Sequence, residues 1–92
     1  MALEIIDLNE TFEIKGILDK SNVEKFQSHF KNIFKTSSQL VINIDELKRI
    51  DRVGVSAFEE LYKQSLLNHK PLYITGLGSR DIFEHLRTID AA

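Results

Sequence analysis

Ninety-two residues, 42% hydrophobic and 28% charged, suffice for one compact domain over residues 1–92 and leave no length for a second. The formal net charge of −2, with Lys and Arg scattered rather than gathered in a stripe, provides no electrostatic footprint for nucleic acid. Having no cysteine excludes disulfides and thiol chemistry, and with neither a membrane-length apolar run nor an N-terminal signal core the expectation is a cytoplasmic protein without direct membrane insertion.

Leu3, Ile5 and Leu8, interspersed with Glu4 and Asp7, predict a short first strand ending at the turn-prone Asn9-Glu10. Thr11 to Ile17 then alternates, with Phe12, Ile14 and Gly16 on one face and Thr11, Glu13 and Lys15 on the other. This predicts a half-exposed strand that forms an antiparallel hairpin with the first. Ser21 followed by Glu24 fits the capping box that satisfies two helix N–H groups. The helix it opens has an apolar stripe of Val23, Phe26, Phe30, Ile33 and Phe34, and Thr36-Ser37-Ser38 breaks it. His29 lies beside that stripe with no second ligand at i+4 and reads as an ordinary flank residue.

Leu40-Val41-Ile42-Asn43-Ile44 is a short apolar, β-branched run, which predicts a core strand covered on both faces. A short polar connection follows, then Asp51-Arg52-Val53-Gly54 and an amphipathic helix. Val55, Phe58, Leu61, Tyr62 and Leu66 point inward on it, opposite Glu59, Glu60, Lys63 and Gln64. Asp51, two to three residues before this helix, can accept bonds from its unpaired N–H groups, and Gly54 permits a close approach or a sharp turn. On local grounds alone the tetrapeptide could equally be an ordinary capped helix start. Lys48-Arg49 with Arg52 reads as part of a solvated loop rather than a phosphate site.

Asn68-His69-Lys70 stops the central helix, and Pro71 opens a last strand, Leu72-Tyr73-Ile74-Thr75. Gly76 and Gly78 form the turn into a final helix, with Ser79 as N-cap, Asp81 near its positive end, and Ile82, Phe83, Leu86 and Ile89 inward. Asp81 stands where a third glycine would complete a dinucleotide fingerprint, and no P-loop Lys-Ser/Thr follows, so no nucleotide cofactor is expected. The order β-β-α-β-α-β-α predicts an α/β fold: a mixed four-stranded sheet, its later strands parallel through right-handed crossovers, with helices packed on one face.

No constellation for catalysis emerges. Ser56 lacks a G-x-S-x-G context, and His29, His69 and His85 fall on separate segments. Asp45-Glu46 and Glu59-Glu60 are adjacent pairs whose side chains diverge, and Asp45, at the carboxyl end of the central strand, reads as a capping or loop-bonding residue. No catalytic residue, metal ligand or cofactor is therefore expected, and the chain is not expected to be an enzyme.

Phe12-Glu13-Ile14-Lys15-Gly16-Ile17-Leu18-Asp19, the strand from Leu40 to Asp45, Ile50-Asp51-x-x-Gly54 and the strand from Leu72 to Leu77 follow one another in an order that resembles the STAS family, the domain of anti-sigma factor antagonists and of sulfate-transporter tails. Asn22 also sits where that family usually has Asn or a nearby polar residue. The resemblance covers nearly the whole chain. It implies a STAS-like regulatory module of bacterial type that takes part in partner switching. The module would bind an anti-sigma or kinase-like protein through Asp45, Asp51, Arg52, Val53, Gly54 and Val55. The alternative it implies is an accessory subunit on the ATPase of an ABC-type lipid transporter.

In the phosphorylation-switched antagonists the signature is typically Asp-Ser-Ser-Gly, and the hydroxyl directly before the glycine is modified. Val53 occupies that position here and has no hydroxyl. A phosphate would add about 1.5 to 2 negative charges at the helix start, so the resemblance implies a domain that is not switched there. Ser56, just past Gly54, is a substitute acceptor only if a helical serine can be modified. A weaker third reading is a small-ligand module whose anion site combines the helix N-terminus with Arg52.

Overall fold

The computed structural model describes residues 2–9, 11–78, 82 and 84–86. In chain order its elements are β1 (Glu4–Leu8), β2 (Thr11–Leu18), α1 (Val23–Phe30), α2 (Ile33–Thr36), β3 (Leu40–Asn43), β4 (Leu47–Ile50), α3 (Arg52–Leu67) and β5 (Leu72–Thr75). Ile82, Glu84, His85 and Leu86 are helical, as the pattern after Gly78 predicts; Ser79, Asp81, Phe83 and Ile89 lie outside the described residues.

The sheet is built around β2. β1 returns antiparallel along it from Leu8 opposite Thr11 to Glu4 opposite Lys15, so the expected hairpin forms, with Asn9 in the left-handed region at φ 63°. β3 runs parallel on the other edge, level with Thr11 to Glu13, and β5 runs parallel outside β3. The expectation of four strands is corrected by β4, which pairs parallel with the far half of β2. Lys48 and Arg49 are exposed on it and Leu47 and Ile50 half-buried, so it lacks the alternation that marks a strand in sequence.

The three residues Ile44 to Glu46 are too few to carry the chain across β2, so β4 continues the edge that β3 began. Partners there differ by 30 positions at Thr11 and Val41, 31 at Gly16 and Leu47, and 32 at Ile17 and Arg49. Each step admits one extra residue, as a bulge does. The Gly16 N–H bonds to the Glu46 carbonyl across the first step, at 3.0 Å.

One face of the sheet carries the core. Phe12, Ile14, Leu18, Leu40, Ile42, Leu72 and Ile74 are buried against α1, α2 and α3, and a chain of rings links the layers. Phe12 meets Phe30 at 5.0 Å between centroids, Phe30 meets Phe26 at 4.9 Å and Phe26 meets Phe58 at 5.0 Å. Thr11, Glu13, Lys15, Val41 and Asn43 on the opposite face are only half-buried, and Tyr73 and Thr75 are exposed. The expectation that β3 is covered on both faces is thereby corrected. Its unbroken apolar run reflects β propensity in a parallel strand, not a second layer.

The helices differ from the sequence reading in three respects. The first is two helices, because Asn32 adopts φ 62° and breaks the chain between Phe30 and Ile33; Asn tolerates that region at single positions. The stripe nevertheless stays inward, with Val23, Phe26, Phe30 and Phe34 buried. The capping box is absent: Asn22 is the N-cap without a side-chain cap bond, and the Ser21 hydroxyl instead donates to Asp19 at 2.6 Å. On α3 the buried set is Gly54, Ala57, Phe58, Leu61 and Ser65, while Leu66 is exposed. The small residues Gly54, Ala57 and Ser65 mark where α3 lies closest to its neighbours, which a stripe drawn through large apolar residues misses. At the other end, His69 at φ 55° and the Lys70 N–H bonding to the Ser65 carbonyl form the expected polar stop. His85 meets Glu59 at 2.8 Å and ties the last helical segment to α3.

Gly16 sits at φ 91°, and a Cβ there would lie 1.9 Å from the Ala2 carbonyl oxygen. The N-terminal segment thus passes over β2 at the one residue without a side chain, and the Lys25 ammonium holds it by donating to the Leu3 carbonyl. Gly16→Ala should lower the unfolding free energy by about 2 kcal/mol, from strain and overpacking together. Urea denaturation beside the exposed-site control Leu8→Ala, expected within about 0.5 kcal/mol of wild type, measures it.

Candidate functional site

The carboxyl ends of β2 and β4 meet the start of α3, and Asp51 is the residue that joins them. Its extended backbone (φ −97°, ψ −177°) sits immediately before the first helical residue, closer than the two to three residues expected. Oδ1 accepts from the Gly54 N–H at 2.8 Å, which caps α3, and Oδ2 accepts from the Lys20 N–H at 3.0 Å in the turn after β2. Its own N–H donates to the Leu18 carbonyl at 3.2 Å. One residue thereby fixes a strand end, a turn and a helix start.

Gly54 explains the rest of the spacing. It is buried, and a Cβ would fall 2.7 Å from Ile50 Cγ1 and 2.9 Å from the Leu18 carbonyl oxygen. The first turn of α3 lies so close to the ends of β2 and β4 that no side chain fits. The polar turn opposite is bonded internally. Asn22 Oδ1 accepts from the Asp19 N–H at 3.0 Å while its Nδ2 donates to the Ile17 carbonyl at 2.8 Å, which is the work of the asparagine singled out in sequence.

Around this buttressed corner the candidate residues divide. Arg52 and Val53 are exposed, Val53 at 41%, and Val55 is half-buried. Ser56 is exposed one residue further into α3. Asp45 is not brought to this corner. Its Oδ1 accepts from the Leu77 N–H at 2.7 Å, and its own N–H donates to Asn43 Oδ1 at 2.8 Å, joining the end of β3 to the turn after β5. That is the loop bonding expected of it. Asn43 is level with Glu13 and Leu47 with Gly16, which puts Asp45 about level with Lys15, so β2 runs three residues, on the order of 10 Å, further before it reaches Leu18 opposite Ile50. Lys20 at the corner, placed by the Asp51 bond, carries no sequence signal because its backbone, not its side chain, makes the link.

No group of three His, Cys, Asp or Glu side chains that could hold a metal occurs among the described residues, and no described helix is long and apolar enough to cross a membrane. Asp19 is the one described acid with a resolved perturbation. The Ser21 hydroxyl first, then the Ser21 N–H and the charge of Arg49, hold its carboxyl below the usual aspartate value.

An α/β domain with a parallel core, an N-terminal antiparallel hairpin and a carboxylate-capped helix start over a glycine is the class these features define. Residues 1–88 match the model of the STAS domain, and the chain belongs to that family. Among solved structures, the anti-sigma factor antagonist SpoIIAA in its unphosphorylated form superposes with a TM-score of 0.64 at 16% identity, over 94% of this chain and 98% of that one. The crystal structure of Mglu superposes with a TM-score of 0.65 at 13% identity, over 82% of this chain; the chain spans 19% of Mglu's length. The curated proteins hold no match.

Asp51→Ala should cost about 1 to 2 kcal/mol, since both carboxylate bonds are lost, and Asp51→Asn less; thermal and urea unfolding measure both. A group whose pKa is lowered on folding stabilises the folded state above its unfolded value, and that contribution is lost as pH falls through the folded one. The Asp19 carboxyl should therefore titrate below a model aspartate peptide in carbon-detected NMR, and Ser21→Ala should move it up.

Proposed function

We propose that this STAS domain is a non-enzymatic regulatory module that docks a partner protein through the helix start at Asp51 to Val55, in the manner of an anti-sigma factor antagonist. The observation that carries the reading is Val53: an apolar side chain 41% exposed beside a corner whose backbone is fully fixed by Asp51 and Gly54. A rigid scaffold presenting an exposed apolar residue is what a docking site needs, because little ordering entropy is lost on association. Asp45, about 10 Å further down the sheet, belongs to this surface only if the partner reaches along β4.

SpoIIAA is described in an unphosphorylated form. The residue before Gly54 in this chain has no hydroxyl, so the site here is not switched by phosphorylation at that position. Ser56 is exposed but held within α3, and a kinase would have to unwind the helix to reach an extended substrate conformation. The module thus stays in one docking-competent state in the cytoplasm.

Val53→Asp places a carboxylate at the dock and should abolish capture of the partner by tagged protein in its native host, with the circular-dichroism spectrum unchanged. Capture of a kinase-like anti-sigma factor or a phosphatase supports partner switching. Capture of a transporter ATPase with its membrane subunits assigns the domain to that complex instead, and undiminished capture moves the interface off α3. Intact mass of the native protein should show no phosphate at Ser56.

A further inference from the structure

The charges at the corner are not equivalent in how they are engaged. Both Asp51 oxygens accept backbone N–H groups, and Asp19 accepts from the N–H and the hydroxyl of Ser21, at 3.0 and 2.6 Å. Lys48, one residue before Arg49, is paired with Glu46 at 3.5 Å. Two cations linked to Asp51 are in the opposite condition. Lys20, whose backbone is bonded to Asp51, and Arg52, which follows Asp51, are exposed, and neither side chain makes a hydrogen bond or an ion pair among the described residues. Arg49, also exposed, only faces Asp19 without a direct bond.

The acids are thus turned onto the fold while the cations face solvent around an exposed valine. Glu24, in the first turn of α1, is exposed, and among the described residues the next acids on α3, Glu59 and Glu60, lie seven and eight residues beyond Arg52, on the order of 10 Å along the helix. A partner approaching Val53 meets lysine and arginine first. Burying those charges against an apolar or basic surface would leave them unpaired, which is costly, whereas carboxylates would satisfy them and Arg52 could engage one bidentately.

We infer that the segment docked at the start of α3 is acidic and carries an apolar side chain: its carboxylates meet Lys20 and Arg52, and its apolar group covers Val53. This inference rests on the docking reading above and specifies the chemistry of the partner. It distinguishes a protein segment from a polyanion, because a nucleic acid or a lipid headgroup would satisfy the cations but leave Val53 uncovered.

The test is a titration of the uniformly 15N-labelled full chain, followed by amide NMR, with an acetylated, amidated hexapeptide alternating glutamate and leucine. The amides of Lys20, Arg52 and Val53 should shift together, saturably, and the shifts should fade with rising salt. A lysine-leucine hexapeptide should leave them unmoved, and polyglutamate, lacking the apolar group, should bind several-fold more weakly. Lys20→Glu combined with Arg52→Glu, at positions whose side chains make no described bond in the fold, should weaken the glutamate-leucine peptide several-fold with the spectrum otherwise native.

Several results overturn the inference: equal binding of the lysine-leucine peptide, shifts confined elsewhere, or tighter binding of oligothymidylate or phosphatidylserine vesicles to the same amides. Free inorganic phosphate reproducing the shifts overturns it in favour of a simple anion site. The two readings fail separately. If Val53→Asp abolishes partner capture while the charge reversals do not, the docking site stands and the acidic segment is wrong. If neither variant changes capture, the docking site itself falls.

Discussion

The Asp51 carboxylate is the constraint on which the junction of β2, β4 and α3 depends. An isolated capping residue satisfies one orphan N–H of its helix, and here the second oxygen is used as well, on the N–H of Lys20 in a turn thirty-one positions earlier. The turn after β2 and the start of α3 are therefore held to each other by one planar group. The absence of a side chain at Gly54 makes this possible, because the helix start must come within van der Waals distance of Leu18 and Ile50 before both bonds can form. The D-x-x-G spacing follows from the packing: acceptor and close-contact residue are one helical turn apart, with two intervening positions left to face outward.

Those two intervening positions, Arg52 and Val53, are exposed, Val53 at 41%. Under the docking proposal, changing either should alter binding more than folding, whereas Asp51 and Gly54 carry stability.

Much of the architecture was legible in the sequence because it rests on periodicity. The hairpin, the β2 alternation, the inward stripe of Val23, Phe26, Phe30 and Phe34, and the last strand after Pro71 all follow from which residues are apolar and how they are spaced. The strand β4 was not legible, since Leu47-Lys48-Arg49-Ile50 has no period of two and its pairing depends on a bulge that only the β2 partner defines. The break at Asn32 was hidden for a related reason: one asparagine in a left-handed conformation leaves no composition signal. At the site, the cap and the glycine were visible as residue types. Lys20 was not, because a backbone N–H donated to a remote carboxylate is invisible in any local window, and nothing local in Asp45 disclosed its distance from the helix start.

The register of the sheet also bears on how the domain assembles in time. Only the pairing of β1 with β2 is local; β3 and β4 find β2 across 30 to 32 residues, and β5 pairs with β3 across a similar gap that contains α3. Loop closure of that length is entropically expensive and is repaid only when the apolar face of the sheet is buried, so the hairpin can form early and alone while the parallel strands must wait for the helices. Until they arrive, the edge of β2 that later receives β3 and β4 is unpaired beside an uncovered apolar face, and association between chains competes with the correct crossover.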